Sequence, residues 1–209
     1  MQNIVIVAGG DCDLSLYKDM LESAYLIGAD RGALYLADSG YKVCLATGDF
    51  DSVSEAELER IRRASDEVEK LFPDKDDTDL EHAINRALNL TAGTVHILGA
   101  IGSRLDQTFS AVNLLKLFAD NGREAFIYDK NNRIRLVKGC VRLTKSRYRY
   151  VSLIPYGDEI LNVSLKGFKY SGENIRLDRK TSLGISNEIT DDYAEIINDG
   201  YLFVFESGD

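Results

Sequence analysis

The chain has 209 residues, of which 44 % are hydrophobic and 28 % are charged, and this ordinary globular composition excludes a disordered chain, a fibre and a coiled coil. Its 34 acidic and 25 basic residues give a net charge of −9, which argues against a protein that grips nucleic-acid phosphates. The longest apolar runs, such as Ile4 to Ala8, are only a handful of residues, so we expect neither a membrane span nor a secretory signal.

The cysteines and histidines limit the chemistry further. Cys12, Cys44 and Cys140 are odd in number and far apart, which is typical of reduced, buried thiols in a cytoplasmic protein and not of a disulfide framework. The chain has only two histidines, so a histidine-rich metal site and a Ser-His-Asp triad are both disfavoured. We therefore expect carboxylates to carry any catalytic chemistry.

Residues 1–128 alternate short apolar runs with amphipathic stretches. The apolar runs predict six strands, at 3–8, 24–29, 43–47, 67–72, 94–99 and 124–128. Helices are predicted from Ser54, which forms a capping box with Glu57, from Thr78, and from about Asp106. Strands that alternate with helices predict a Rossmann-like α/β domain, with a mostly parallel sheet covered by helices on both faces.

Residues 129–209 lose the helical period and become rich in short β-like runs. Strands are predicted at 134–137, 148–154, 160–165, 193–197 and 201–205. Turn signals separate them, including 171–174 and Asn198-Asp199-Gly200, and the second of these predicts a hairpin. This part is therefore predicted to be a small antiparallel β-sandwich or barrel.

Acidic side chains follow four of the predicted strands. They are Asp30 after the second strand, Asp49 and Asp51 after the third, Asp74, Asp76, Asp77 and Asp79 after the fourth, and Asp106 after the fifth. Because the carboxyl ends of parallel strands share one edge of a sheet, where ligands bind, these four loops are expected to converge.

Each of these acids, considered singly, has an ordinary explanation as a turn residue or a helix cap. Their convergence is harder to explain in this way, because two carboxylates about 4 Å apart repel by roughly 4 kcal/mol at a surface-like dielectric. A cation among them would remove the repulsion, and hard oxygen ligands in this number suit Mg²⁺ shared with substrate phosphates. The turn Gly99-x-x-Gly102 and the nearby Arg104 could bind a phosphate, although the turn alone is a weak signal.

Four motifs together resemble the thiamine pyrophosphokinase family over essentially the whole chain. They are Asp49-Phe50-Asp51-Ser52, Asp74-Lys75-Asp76-Asp77-Thr78-Asp79, Gly99-x-x-Gly102-x-Arg104-x-Asp106 and Ser186-Asn187. The resemblance implies transfer of pyrophosphate from ATP to the hydroxyl of thiamine, which gives thiamine diphosphate and AMP. It also implies Mg²⁺ as cofactor and a homodimer, in which the α/β domain of one subunit and the β domain of the other form each site.

The resemblance also implies roles for individual residues. Mg²⁺ and the triphosphate would be held by Asp49, Asp51, Asp76 and Asp79. Further ATP contacts would come from Asp30, Asp76, Thr78, Gly102 and Arg104. Catalytic roles fall to Asp49, Asp51, Asp79 and Asp106, with Asp79 or Asp106 as the proton acceptor. Thiamine would contact Gln107, Ser186 and Asn187.

Two features depart from the family pattern. Gln107 occupies a position where the family usually has histidine, so a cationic role there is lost. The chain has no tryptophan, so an aromatic platform for thiamine would have to come from a residue such as Tyr193 or Tyr201, unless these tyrosines only pack within strands.

Two other functions stay open. A haloacid-dehalogenase-like phosphatase is suggested by 49–53, which follows a strand as that family's nucleophile loop does. A nucleotide- or thiamine-binding module with weak catalysis is compatible with Gln107.

Overall fold

The computed structural model describes residues 1–72 and 76–208. The chain divides into two compact units, Met1–Lys130 and Asn131–Asp209. The composition of the sequence changes at nearly the same place, after Tyr128.

Over residues 1–72 and 76–130, the first unit is an α/β fold around six strands. Its elements are β1 (Ile4–Val7), a 3₁₀ turn (Leu14–Tyr17), α1 (Lys18–Ser23), β2 (Tyr25–Ala29), α2 (Arg31–Asp38), β3 (Val43–Gly48), α3 (Glu55–Ala64), β4 (Ser65–Lys70), α4 (Asp79–Leu88), β5 (Val95–Leu98), α5 (Leu105–Asp120) and β6 (Ala125–Tyr128). The strands pair in parallel in the order β6-β5-β1-β2-β3-β4. The order reverses between β1 and β5, which is where open parallel sheets bind ligands. The predicted fold class is confirmed.

Local sequence explains these elements. Strands β1 and β5 are buried along their whole length, which suits strands covered on both faces. Helix α3 begins at the predicted capping box, in which the Ser54 hydroxyl accepts from the Glu57 amide and the Glu57 carboxylate accepts from the Ser54 amide. Its buried side chains, Leu58 and Ile61, each stabilise the fold by about 1.5–3 kcal/mol.

The second unit is made of antiparallel strands. They are β7 (Asn132–Thr144), β8 (Tyr150–Pro155), β9 (Glu159–Lys166), β10 (Gly172–Asp178), β11 (Asn187–Glu188) and β12 (Tyr193–Ser207). Strand β12 pairs with β7 along its length, and on its other edge with β9 and then β8. The core includes Val163, Ile196, Leu202 and Val204, each fully buried. The antiparallel β region predicted from the sequence is confirmed.

The predicted hairpin at Asn198-Asp199-Gly200 is wrong. Strand β12 runs through these residues, and the turn signal produces a register shift between Asn198 and Leu202. The Asn198 side chain is buried and donates to the Gly139 carbonyl of β7 at 3.1 Å, so the partner strand holds the irregular segment as a bulge. The turn predicted at 171–174 lies partly in β10, which has a register shift between Gly172 and Ile175.

Two further expectations concern the thiols and membrane insertion. All three cysteines are free, but none is fully buried as expected: Cys12 and Cys44 are half-buried and Cys140 is exposed. Across residues 1–72 and 76–208, no helix has both the length and the apolar character that a membrane crossing needs.

Candidate active site

A cavity of about 620 Å³ lies at the carboxyl edge of the parallel sheet in the first unit. It is lined by the loops after β1, β2, β3 and β5, by the first turn of α4 and by α5 as far as Leu114. Its volume is typical of sites for small molecules and cofactors. The loops expected from the sequence to converge therefore do line one cavity.

The loops after β1 and β5 meet without side chains between them. The Ala8 amide donates to the Leu98 carbonyl at 2.8 Å, and the Gly10 amide donates to the Gly99 carbonyl at 2.9 Å. A Cβ atom on Gly10 would lie 2.5 Å from the Gly99 carbonyl oxygen, so no other residue fits there without movement. Because the two loops approach so closely, their main chain borders the cavity between β1 and β5, where the strand order reverses.

Three carboxylates form a group beside the cavity, and those of Asp30 and Asp79 line it. Asp30 follows β2, Asp49 follows β3, and Asp79 is the first residue of α4. One oxygen from each lies within 4.8 Å of the other two, and all three residues are half-buried. Oxygen ligands at this separation are the donor set that a hard divalent cation prefers.

The surroundings of Asp30 agree with a cation at this position. Burial raises the pKa of the Asp30 carboxyl above its usual range, hydrogen bonding from the Ser52 hydroxyl and the Arg31 amide opposes this, and the charges of Asp79 and Asp49 raise it further. Its Oδ1 atom is buried and has no hydrogen-bond donor. A bound cation would satisfy this acceptor and remove the repulsion, so the residues present fit a divalent metal.

Asp51 and Asp76, both predicted metal ligands, are exposed and lie outside the three-carboxylate group. Phe50 is buried with a positive φ of 58°, which reverses the chain between Asp49 and Asp51. The Asp49 carboxylate then accepts from the Asp51 amide at 3.0 Å. Asp74 lies outside the described residues.

Arg104 and Asp106 pair with each other at the start of α5. Arg104 Nη2 lies 2.6 Å and Nε 3.3 Å from the two Asp106 oxygens, and both side chains are exposed. The Arg104 guanidinium holds the pKa of the Asp106 carboxyl below its usual range. Both residues line the cavity, as does the exposed Gln107 beside them.

Thr78 and Gly102 line the cavity and also make local hydrogen bonds. The Thr78 hydroxyl caps α4 by accepting from the Glu81 amide at 3.2 Å. The Gly102 amide donates to the Thr108 hydroxyl at 3.2 Å, which closes the turn before α5. Both residues therefore have structural roles in capping or turn formation, and both also line the cavity.

Ser186 and Asn187 belong to the second unit. Ser186 is exposed with a φ of 59°, and its amide donates to the Ser152 hydroxyl at 3.0 Å. Asn187 is buried, and its side-chain amide both donates to and accepts from the main chain of Tyr170 at 3.0 Å. Asn187 therefore braces two segments of chain, and its predicted contact with thiamine stays a prediction.

The two candidate aromatic platforms differ in exposure. Tyr193 is exposed, with the Arg142 guanidinium 4.2 Å from its ring centroid. Tyr201 is half-buried and packs edge-on against Tyr156 at 6.5 Å. Of the two, Tyr193 presents the more accessible ring.

Arg31 and Ser52 also line the cavity, although the sequence alone indicated no role for either side chain. Arg31 follows Asp30 directly, and Ser52 ends the motif that begins at Asp49. The sequence offered one indication, namely that each residue lies beside a candidate site residue. That indication cannot tell a residue whose side chain reaches the site from one that is only a neighbour in sequence.

Residues 17–127 match the family model "Thiamin pyrophosphokinase, catalytic domain", and residues 140–202 match "Thiamin pyrophosphokinase, vitamin B1 binding domain". The chain belongs to the thiamine pyrophosphokinase family. Over 195 residues, and 90 % of each chain, it is 35 % identical to the thiamine pyrophosphokinase of Bacillus subtilis. These matches support a thiamine pyrophosphokinase and give no support to the phosphatase or binding-module alternatives.

Solved structures agree with the assignment to the thiamine pyrophosphokinase family. The crystal structure of thiamine pyrophosphokinase from Bacillus subtilis superposes with a TM-score of 0.91, at 32 % identity and with full coverage of both chains. Thiamin pyrophosphokinase from Candida albicans has a TM-score of 0.85 at 18 % identity, covering 99 % of this chain and 89 % of that one. The second likeness shows the shared fold alone.

Proposed function

We propose that the cavity binds ATP together with Mg²⁺ and that the chain transfers the pyrophosphoryl group of ATP to thiamine, giving thiamine diphosphate and AMP. The observation that carries the proposed site is the three-carboxylate group of Asp30, Asp49 and Asp79 beside a cavity of nucleotide size. Membership of the family supplies the two substrates and the reaction.

Asp30, Asp49 and Asp79 would hold the metal through their carboxylate oxygens. When bound, Mg²⁺ would supply positive charge that offsets the charge on the triphosphate. Asp51 and Asp76, which are both exposed, would supply further carboxylate oxygens to Mg²⁺ and the triphosphate. The main chain of the loops after β1 and β5, with Gly102 among its residues, would lie against the phosphates.

Arg104 and Asp106 would change partners during the reaction. Both side chains are exposed, so Arg104 can turn from Asp106 towards a phosphate. Asp106 would then lose the cation that lowers its pKa and become the better proton acceptor. As the thiamine oxygen bonds to the β-phosphorus, its proton passes to Asp106, and the bond to the bridging oxygen that leaves with AMP breaks.

Thiamine would be held by Gln107 together with Ser186 and Asn187 of a second copy, in a homodimer. Gln107 can orient thiamine by hydrogen bonds but adds no positive charge. Support for the dimer comes from Leu105 and Phe109 on α5, whose side chains are 77 % and 60 % exposed next to cavity residues. Light scattering on the purified protein should give twice the chain mass of 23.3 kDa, whereas a monomer would remove this part of the proposal.

Product analysis tests the function directly. The purified protein is incubated with ATP, Mg²⁺ and thiamine, and AMP and thiamine diphosphate are followed by chromatography. We expect equal amounts of both products and no AMP when thiamine is omitted. Free phosphate without AMP would indicate a phosphatase, and binding of ATP without turnover would indicate a regulatory module.

Asp51→Asn tests the role that the resemblance gives to Asp51. We expect turnover to be abolished, because the resemblance makes Asp51 a ligand of the metal. The side chain is exposed and makes no contribution to the core, so the melting temperature should stay unchanged. Full activity in the folded variant, measured by the same product assay, would remove Asp51 from the mechanism.

A further inference from the structure

Asp30 is held in an uncommon backbone conformation. Its φ of 49° and ψ of −121° place a non-glycine residue on the positive side of φ. Its amide donates to the Thr47 carbonyl of β3 at 2.8 Å. A Cβ atom on Gly48 would lie 3.0 Å from the Asp30 Cα, so the absence of that side chain lets the two loops approach. The backbone of Asp30 is therefore fixed by β3.

The side chain of Asp30 is fixed separately, by Ser52. The Ser52 hydroxyl donates to Asp30 Oδ2 at 2.6 Å, across 22 residues of sequence. Ser52 reaches this position because Phe50 anchors its loop in the core and the Asp51 amide is held by Asp49. With Oδ2 occupied by this hydrogen bond, the atom left over is Oδ1, which is buried and has no donor.

We infer that Ser52 is a positioning residue for the metal site: its hydroxyl holds one Asp30 oxygen so that Oδ1 remains directed at the cation shared with Asp49 and Asp79. The inference deepens the proposed function, since it rests on the same carboxylate group. Hydrogen bonds to the second oxygen of a ligating carboxylate fix its orientation and usually affect metal affinity strongly.

A purely structural role for Ser52 makes a different prediction. If the hydroxyl only satisfied a half-buried carboxylate, its removal would lower stability and leave the affinity for a cation unchanged. Metal affinity and thermal stability must therefore be measured on the same variants.

The experiment compares Ser52→Ala, Ser52→Thr and the control Ser54→Ala with the unmodified chain. Ser54 caps α3 and has its hydroxyl on Glu57, so its loss should lower stability by removing a cap without touching Asp30. Mn²⁺ binding to the ATP-free protein is measured by electron paramagnetic resonance, and melting temperatures are recorded in parallel. A second readout is the Mg²⁺ concentration that gives half the maximal rate.

We expect Ser52→Ala to weaken Mn²⁺ binding about tenfold or more, and to raise the Mg²⁺ requirement with recovery of the rate at high Mg²⁺. Ser52→Thr, which keeps the hydroxyl, should restore both, and Ser54→Ala should bind Mn²⁺ normally. The inference is overturned if Ser52→Ala binds Mn²⁺ as the unmodified chain does, if threonine fails to restore binding, or if the unmodified chain binds no Mn²⁺.

These failures are separable from failure of the proposed function. If the unmodified chain forms AMP with thiamine but Ser52→Ala binds Mn²⁺ normally, the role of Ser52 is wrong and the function stands. If Mn²⁺ binding depends on Ser52 but no AMP forms, the positioning role stands and the function is wrong.

Discussion

Asp49→Asn is expected to lower thiamine-dependent AMP formation by about a thousandfold while the protein stays folded, because a metal ligand typically contributes several kcal/mol to charge stabilisation in the transition state. The asparagine side-chain oxygen can still accept from the Asp51 amide, so the turn between the two residues is kept. The loss should appear in kcat at saturating ATP and Mg²⁺, measured by the AMP assay.

Asp66→Asn is the matched control for this variant. Asp66 lies on β4 in an exposed ion pair with Lys42 at 2.7 Å, away from the cavity. The same chemical change there should leave the rate within a factor of about two, since exposed ion pairs contribute little. An Asp49→Asn variant with the activity of this control would contradict the assignment of the carboxylate group as the metal site.

Asp30→Asn is expected to stabilise the metal-free protein and to inactivate it. Burial and the charges of Asp79 and Asp49 raise the pKa of the Asp30 carboxyl, so its ionised form costs folding free energy. After allowance for its partial exposure, removing the charge should add about 1 kcal/mol, or roughly 2–4 °C in melting temperature. The asparagine oxygen can still accept the Ser52 hydrogen bond.

The gain from Asp30→Asn should depend on pH and on metal. A raised pKa in the folded state means that the wild-type penalty appears as pH rises through that pKa, so the gain should vanish below about pH 4, where folded and unfolded forms are both protonated. Added Mg²⁺ should stabilise the wild-type chain and not the variant, because ligands stabilise the state that binds them. A variant less stable than wild type at neutral pH in a chelator would contradict the account.

Much of the fold is contained in local patterns. The capping box at Ser54 sets the first residue of α3, and the continuous apolar runs of β1 and β5 identify buried parallel strands. Asn198-Asp199-Gly200 shows where local patterns are insufficient. Turn residues within a strand form a hairpin or a bulge depending on the partner strand, and the hydrogen bond from Asn198 to Gly139 is a non-local contact.

The candidate site, like the fold, could be predicted from the sequence only in part. Convergence of the acidic loops could be predicted, because parallel strands place their carboxyl ends at one edge. Membership of the three-carboxylate group was predicted only in part: Asp49 and Asp79 were among the expected metal ligands and Asp30 was not. The rest depends on local backbone conformations that no periodicity encodes. Phe50, which has a positive φ, lies between Asp49 and Asp51. Asp30 lies with Asp49 and Asp79, and it has a positive φ and accepts a hydrogen bond from Ser52.

Transfer of the pyrophosphoryl group as one unit is tested most directly with ATP labelled with ³²P at the β-phosphate. The chain is incubated with the labelled ATP, Mg²⁺ and thiamine, and the products are separated before counting. We predict that the label appears in thiamine diphosphate, in step with unlabelled AMP. Label recovered in ADP beside unlabelled thiamine monophosphate would show transfer of a single phosphoryl group and would contradict the account.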